Sequence, residues 1–142
     1  MKYYASRSYS IALHDDVLDD LNSLYDQDED AAADIEAFLE EAKNNQKTLE
    51  NLTRNNYVNY DDWNYDVKEW QTAKKRKLNL WRIRMLWLSG DSAKYRVVYA
   101  FHPTQLRYYV LGIVDREFDY DLSHEISKRI LTAYDALDIP GY

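Results

Sequence analysis

From Ser6 to Leu13 the chain alternates, with Tyr9, Ile11 and Leu13 on one side and Ser10 and Ala12 on the other, the period of a short strand. Beyond Asp15 the period lengthens. Val17, Leu18, Leu21, Leu24 and Tyr25 recur at helical spacing, and Asp15 and Asp16 suit the positive end of a helix dipole, so an amphipathic helix is predicted over Asp15–Tyr25. A second is predicted over Glu29–Asn44, where Ala32, Ile35, Phe38, Leu39 and Ala42 form the stripe to be buried and acids fill the first turn. The two are expected to pack as a helical hairpin.

From Asn45 to Thr72 the periodicity fades, and Tyr57, Tyr60, Trp63, Tyr65 and Trp70 are irregularly spaced among Asn and Asp residues. The segment at about 45–77 therefore reads as a long aromatic-rich loop, folded back on the body by its rings or offering them to stacked bases. Three strand-like runs follow, Leu78–Leu88, Tyr95–His102 and Leu106–Val114, with short turns between them that imply an antiparallel meander. Alternation puts Trp81, Ile83, Met85 and Trp87 on one face of the first run and Arg82 and Arg84 on the other, and Arg96 can share the arginine face. A last helix is expected from about Ser123, as cap, to Leu137, with Pro140 and Gly141 beyond its end. The order β-α-α-β-β-β-α predicts one α+β domain over residues 1–142, an antiparallel sheet with an N-terminal helical hairpin and a C-terminal helix, the helices covering one face.

Composition narrows the chemistry. With 46% hydrophobic residues, 15% aromatics, 3 Gly and 2 Pro, the chain has the makings of a packed core. The absence of cysteine removes disulfides, thiolate metal sites and thiol nucleophiles, and His14, His102 and His124 are too scattered to suggest a zinc site. No cofactor and no metal are expected. Neither the start of the chain nor any later apolar run has the pattern of a signal peptide or a membrane span, which points to the cytoplasm. The net charge of −7 argues against a nucleic-acid partner until its distribution is considered. Residues 68–96 hold nine basic side chains against two acids, so a positive region sits on a negative body and can steer an anionic partner to one place. Lys74, Lys75, Arg76, Lys77 and Lys94 are candidate RNA contacts from that region, a solvated lysine run being the plainer alternative.

Leu80-Trp-Arg-Ile-Arg84, Lys94-Tyr-Arg-Val-Val-Tyr99, the strand Tyr108–Val114 and Asp115-Arg-Glu117 before a terminal helix together resemble the RelE/ParE superfamily of toxins from type II toxin–antitoxin systems. The likeness is good over about residues 78–131 and loose over the hairpin. It implies a ribosome-dependent mRNA endonuclease that inhibits translation, works on mRNA in the ribosomal A site without a metal, and is neutralised by a cognate antitoxin protein. Carried over by position, it nominates Arg82, Arg84, Arg96 and Arg116 for phosphate binding and charge stabilisation, with His124 or Tyr120 as acid or base. Fixed guanidinium groups suit that task because attack of a 2′-hydroxyl on phosphate builds negative charge that they bind bidentately. For each arginine the plainer alternative is a surface-exposed or salt-bridged strand residue with no chemistry, and Asp115, Glu117 and Asp119 stand ready as partners for Arg116. Two other functions fit the same resemblance: a ParE-like toxin that binds DNA gyrase, and a non-catalytic protein-interaction module on the same scaffold.

Overall fold

The structure is a computed structural model and describes residues 8–60, 63–85, 95–115, 118 and 124–140. The chain runs β1 (Ser10–Leu13), α1 (Asp15–Gln27), α2 (Glu29–Lys43), α3 (Gln46–Glu50), β2 (Val58–Asn59), β3 (Tyr65–Glu69), α4 (Gln71–Lys75), β4 (Leu80–Met85), β5 (Tyr95–His102), β6 (Arg107–Asp115) and α5 (Glu125–Asp135). The class is α+β, built on a six-stranded sheet in the order β1-β6-β5-β4-β3-β2.

Local chemistry starts the helices where the sequence expects. His14 caps α1 by accepting from the Asp16 amide, Asp28 caps α2 by accepting from the Ala31 amide at 3.2 Å, and both helices carry two acids in the first turn. At α5 the cap is His124, whose Nδ1 accepts from the Ile126 amide at 3.1 Å; the expected cap, Ser123, lies outside the described residues, as do the last three residues of the Leu78–Leu88 run and its following turn.

Three expectations are corrected. The sheet is mixed, because β1 pairs in parallel with β6 (Ser10↔Arg107 to Leu13↔Val110), while every other pairing is antiparallel. The segment at 45–77 is no loop: it supplies α3, β2, β3 and α4, and it extends the sheet by two strands. Helices cover both faces of the sheet, not one. On the first face Tyr65, Val67, Trp81, Ile83, Val97 and Tyr99 pack under Val17, Leu21, Ile35, Phe38 and Leu39 of the hairpin. On the second, Leu80, Val98, Ala100 and Leu111 pack with Trp70, Phe118 and the α5 residues Ile130, Ala133 and Tyr134. The physical reason lies in the strands: β5 buries both alternating sets of its side chains, so each set needs its own cover. Helix α5 fits closely because Gly112 leaves room, an added Cβ there being 3.1 Å from Ile130 Cδ1.

The aromatic rings of the segment at 45–77 are mostly structural. Phe38 meets Tyr65 edge-on at 5.2 Å and Trp63 at 5.8 Å, Trp70 meets Phe118 edge-on at 5.8 Å, and Tyr60 alone among the aromatics that are described stands largely exposed, at 81%.

Two buried phenols tie the sheet to the end of α3. Tyr99 donates its hydroxyl proton to the Leu52 carbonyl at 2.6 Å, and Tyr108 donates to the Leu49 carbonyl at 2.5 Å. Burial strips water from any phenolate formed there, and it pushes both groups above the ordinary tyrosine value. A raised folded-state value means that stability is fully present below the unfolded value, about 10, and declines as pH rises beyond it. We expect urea midpoints to be level between neutral pH and about pH 9.5 and to fall steeply above that. Tyr99→Phe should cost about 1–2 kcal/mol at neutral pH, by orphaning the Leu52 carbonyl, and flatten the alkaline fall. An alkaline limb as steep in that variant as in the parent would assign the effect to other groups.

Candidate functional site

The arginines come together on the second face, through register. Asp66 of β3 lies opposite Arg84 of β4, and Arg84 lies opposite Arg96 of β5; one step along, Lys68 lies opposite Arg82. Neighbouring strands are about 4.8 Å apart, so four cations and one carboxylate share two adjacent rows.

Asp66 organises them. Its carboxylate is buried, one oxygen accepting from Arg82 Nη1 and the other from Arg84 Nε at 3.1 Å and Nη2 at 2.6 Å. The Arg82 side chain is only 11% exposed, whereas Arg84 is 39% exposed and keeps a face toward solvent. Arg96 is half-buried and donates through Nη1 to the Tyr95 carbonyl at 3.2 Å. The salt-bridged alternative thus holds for Arg82 and Arg84, with Asp66 as the partner. Like charges directly opposite one another, as at Arg84 and Arg96, oppose sheet formation unless something anionic lies between them. One buried carboxylate is shared by Arg82 and Arg84.

Asp66 escapes notice in the sequence because 45–72 reads as a loop. The alternation of Tyr65 and Val67 with Asp66 and Lys68 is the signal that could have revealed the strand, since the apolar pair enters the first core and the polar pair faces the other way.

The other nominated residues do not join this cluster as far as they are described. Lys74, Lys75, Arg76 and Lys77 belong to α4 and its end, next to Leu80, four residues or roughly 13 Å along β4 from Arg84. Lys74 Nζ pairs with Glu69 at 2.8 Å, and Lys75, Arg76 and Lys77 are exposed. The run terminates the helix: Lys77, at φ 63°, has its amide on the Lys74 carbonyl, and the Leu78 amide reaches the Ala73 carbonyl, the paired bonds of a left-handed C-terminal cap. Arg116, Tyr120 and Lys94 lie outside the described residues.

His124 is exposed at the start of α5, and its ring stands edge-on to Phe118 with centroids 5.5 Å apart. With Nδ1 accepting the cap bond, the neutral ring carries its proton on Nε2, so its free nitrogen is a donor. His102 is buried at the other end of β5, where its Nδ1 accepts from the Gln105 amide at 3.4 Å in the turn to β6. Among the described residues no group of three or more His, Cys, Asp or Glu could hold a metal ion, and no helix is long and apolar enough to cross a membrane.

Comparison of the chain with protein-family models, with curated proteins and with solved structures finds no match.

Proposed function

We propose that the arginine face binds the phosphate backbone of mRNA, and that the chain is a RelE-like toxin of a type II toxin–antitoxin system that cleaves message in the ribosomal A site. The observation that carries this reading is the Arg84–Arg96 pair in direct register beside Arg82, with Arg82 and Arg84 held by one buried carboxylate. Each guanidinium bound by Asp66 keeps further N–H groups for phosphate oxygens. In the reaction the 2′-oxygen forms a bond to the adjacent phosphorus and the bond to the 5′-oxygen breaks, with the arginines stabilising the charge that accumulates on the non-bridging oxygens. The 2′-hydroxyl gives its proton to a base and the departing 5′-oxygen takes one up, and His124 and Tyr120 are the residues that the resemblance nominates for that exchange. An acidic segment of a cognate antitoxin would neutralise the protein by covering the same cations in the cytoplasm.

A second reading takes the face as an anion-binding surface without chemistry, for protein contact on the same scaffold or for a target such as DNA gyrase. It is favoured by one specific observation: both Arg82 and Arg84 are already engaged by Asp66, and His124 is engaged as a cap.

Expression of the chain alone in a bacterial host, with new 5′ ends mapped on cellular mRNA, tests the proposal. Ribosome-phased cuts are expected, and Arg96→Ala is expected to reduce them by about 10²-fold, as for the loss of one pre-organised donor, while stability changes by less than about 1 kcal/mol. Growth arrest without cuts would favour a protein target, and a folded Arg96→Ala variant that still cuts would remove Arg96 from the site.

A further inference from the structure

At the end of the sheet remote from Arg84 and Arg96, the C-terminal ends of α4 and α5 border a cleft of about 370 Å³. Arg76 and Lys77 line it from the α4 side, Asp135 and Asp138 from the α5 side. Among the described residues none of these four side chains makes a hydrogen bond or ion pair, so two cations and two anions face one cavity without satisfying each other. Lys77 and Asp138 both adopt left-handed backbone, at φ 63° and 58°, where glycine is the ordinary occupant after a helix. The two positions set charges of opposite sign on the two sides of one cleft.

The remaining lining is apolar or amphipathic. Leu78 and Ile139 are half-buried against the second core, and Tyr134 adds to the lining, its hydroxyl accepting from the Asn79 amide at 2.8 Å. The C-terminal end of α5 adds the negative end of a helix dipole beside Asp135 and Asp138, which favours a cation there.

We propose that this cleft binds a small zwitterion of the α-amino-acid class carrying an apolar side chain. Its carboxylate meets Arg76 and Lys77, its ammonium meets Asp135 and Asp138, and its side chain lies against Leu78 and Ile139. The volume is near the lower end of the range for small-molecule sites and accommodates an amino acid of leucine size. A net-neutral, doubly charged ligand satisfies both sides at once, whereas a simple anion or cation leaves one pair of like charges facing it. The site stands independently of the arginine face and of any action on RNA.

The test is a titration of the full chain with L-leucine, followed by the backbone amide resonances of Lys77 and Asp138, with N-acetyl-leucine and leucinamide as probes lacking one charge each. Leucine should produce saturable shifts at both amides, and each single-charge probe should bind about tenfold more weakly or worse. Asp138→Asn, which keeps a residue tolerant of left-handed backbone, should weaken leucine about fivefold, and the exposed Arg76→Gln should weaken leucine while leaving leucinamide unchanged. Absence of saturable shifts, equal binding of all three probes, or unaltered leucine binding in both variants would overturn the assignment.

Discussion

Asp66→Ala is expected to destabilise the protein by about 3 kcal/mol, visible as a fall of about 10 °C in thermal midpoint. The carboxylate is the shared acceptor for Arg82 and Arg84, and without it the Arg82 guanidinium, 11% exposed, stays among packed strands with no counter-charge. Loss of one partner from a buried pair costs about 3–5 kcal/mol; the lower end applies because Arg84, at 39% exposure, can turn to water. Asp66→Asn retains an acceptor oxygen and should lose about half as much. Replacing the pair together, Asp66→Leu with Arg82→Met, should recover most of the stability, since an apolar pair of similar volume needs no compensation. If that double variant were stable and folded yet failed to bind RNA, the ion pair would be retained for function at the expense of nothing in the fold. A loss below about 1 kcal/mol in Asp66→Ala would mean that Arg82 finds another partner or reaches solvent.

The second large effect is expected at Asp20. Its oxygens accept from the Ile113 amide at 3.0 Å and from both terminal nitrogens of Arg129 at 2.9 and 2.8 Å, and Arg129 also lies 3.8 Å from Asp16. Strand β1 pairs with β6 only as far as Val110, so the Ile113 amide lies past the end of β1. Asp20 satisfies it and, through Arg129, fastens α5 to α1 around that edge. Asp20→Ala should cost about 2–3 kcal/mol by removing a bidentate charge pair and orphaning a strand amide, a figure held down by the 35% exposure of Arg129. The check is urea unfolding: the midpoint should fall with the slope unchanged, and added salt should narrow the gap between parent and variant. An equal gap at low and high salt would mean that the lost amide bond, and not the charge pair, dominates.

Helices α1, α2 and α5 were legible because what starts and orients them is local. Capping side chains, acids in the first turn and a stripe recurring at 3.6 residues all sit within a dozen positions of one another. The same holds for β4, β5 and β6, where alternation separates Trp81, Ile83 and Met85 from Arg82 and Arg84, and the observed Arg84↔Arg96 register gathers the arginines on one face as the pattern predicted. In the segment at 45–77 the elements are a few residues long, too short for a period to stand out, and β2 and β3 exist because β4 offers them an edge to pair with.

What the sequence by itself determined was therefore the set of strong local elements, the polarised charge and the arginine alternation on β4 and β5. Tertiary structure alone decided the rest. The parallel pairing of β1 is made with β6, far along the chain, and a four-residue strand carries no mark of that direction. The partner of Arg82 and Arg84 arrives from β3 through sheet pairing, and the clamp of Asp20 on Ile113 and Arg129 joins groups 93 and 109 residues apart. Charges and hydrogen bonds of this kind are fixed by proximity in the folded chain, so their residues look like ordinary surface acids until packing removes the water around them.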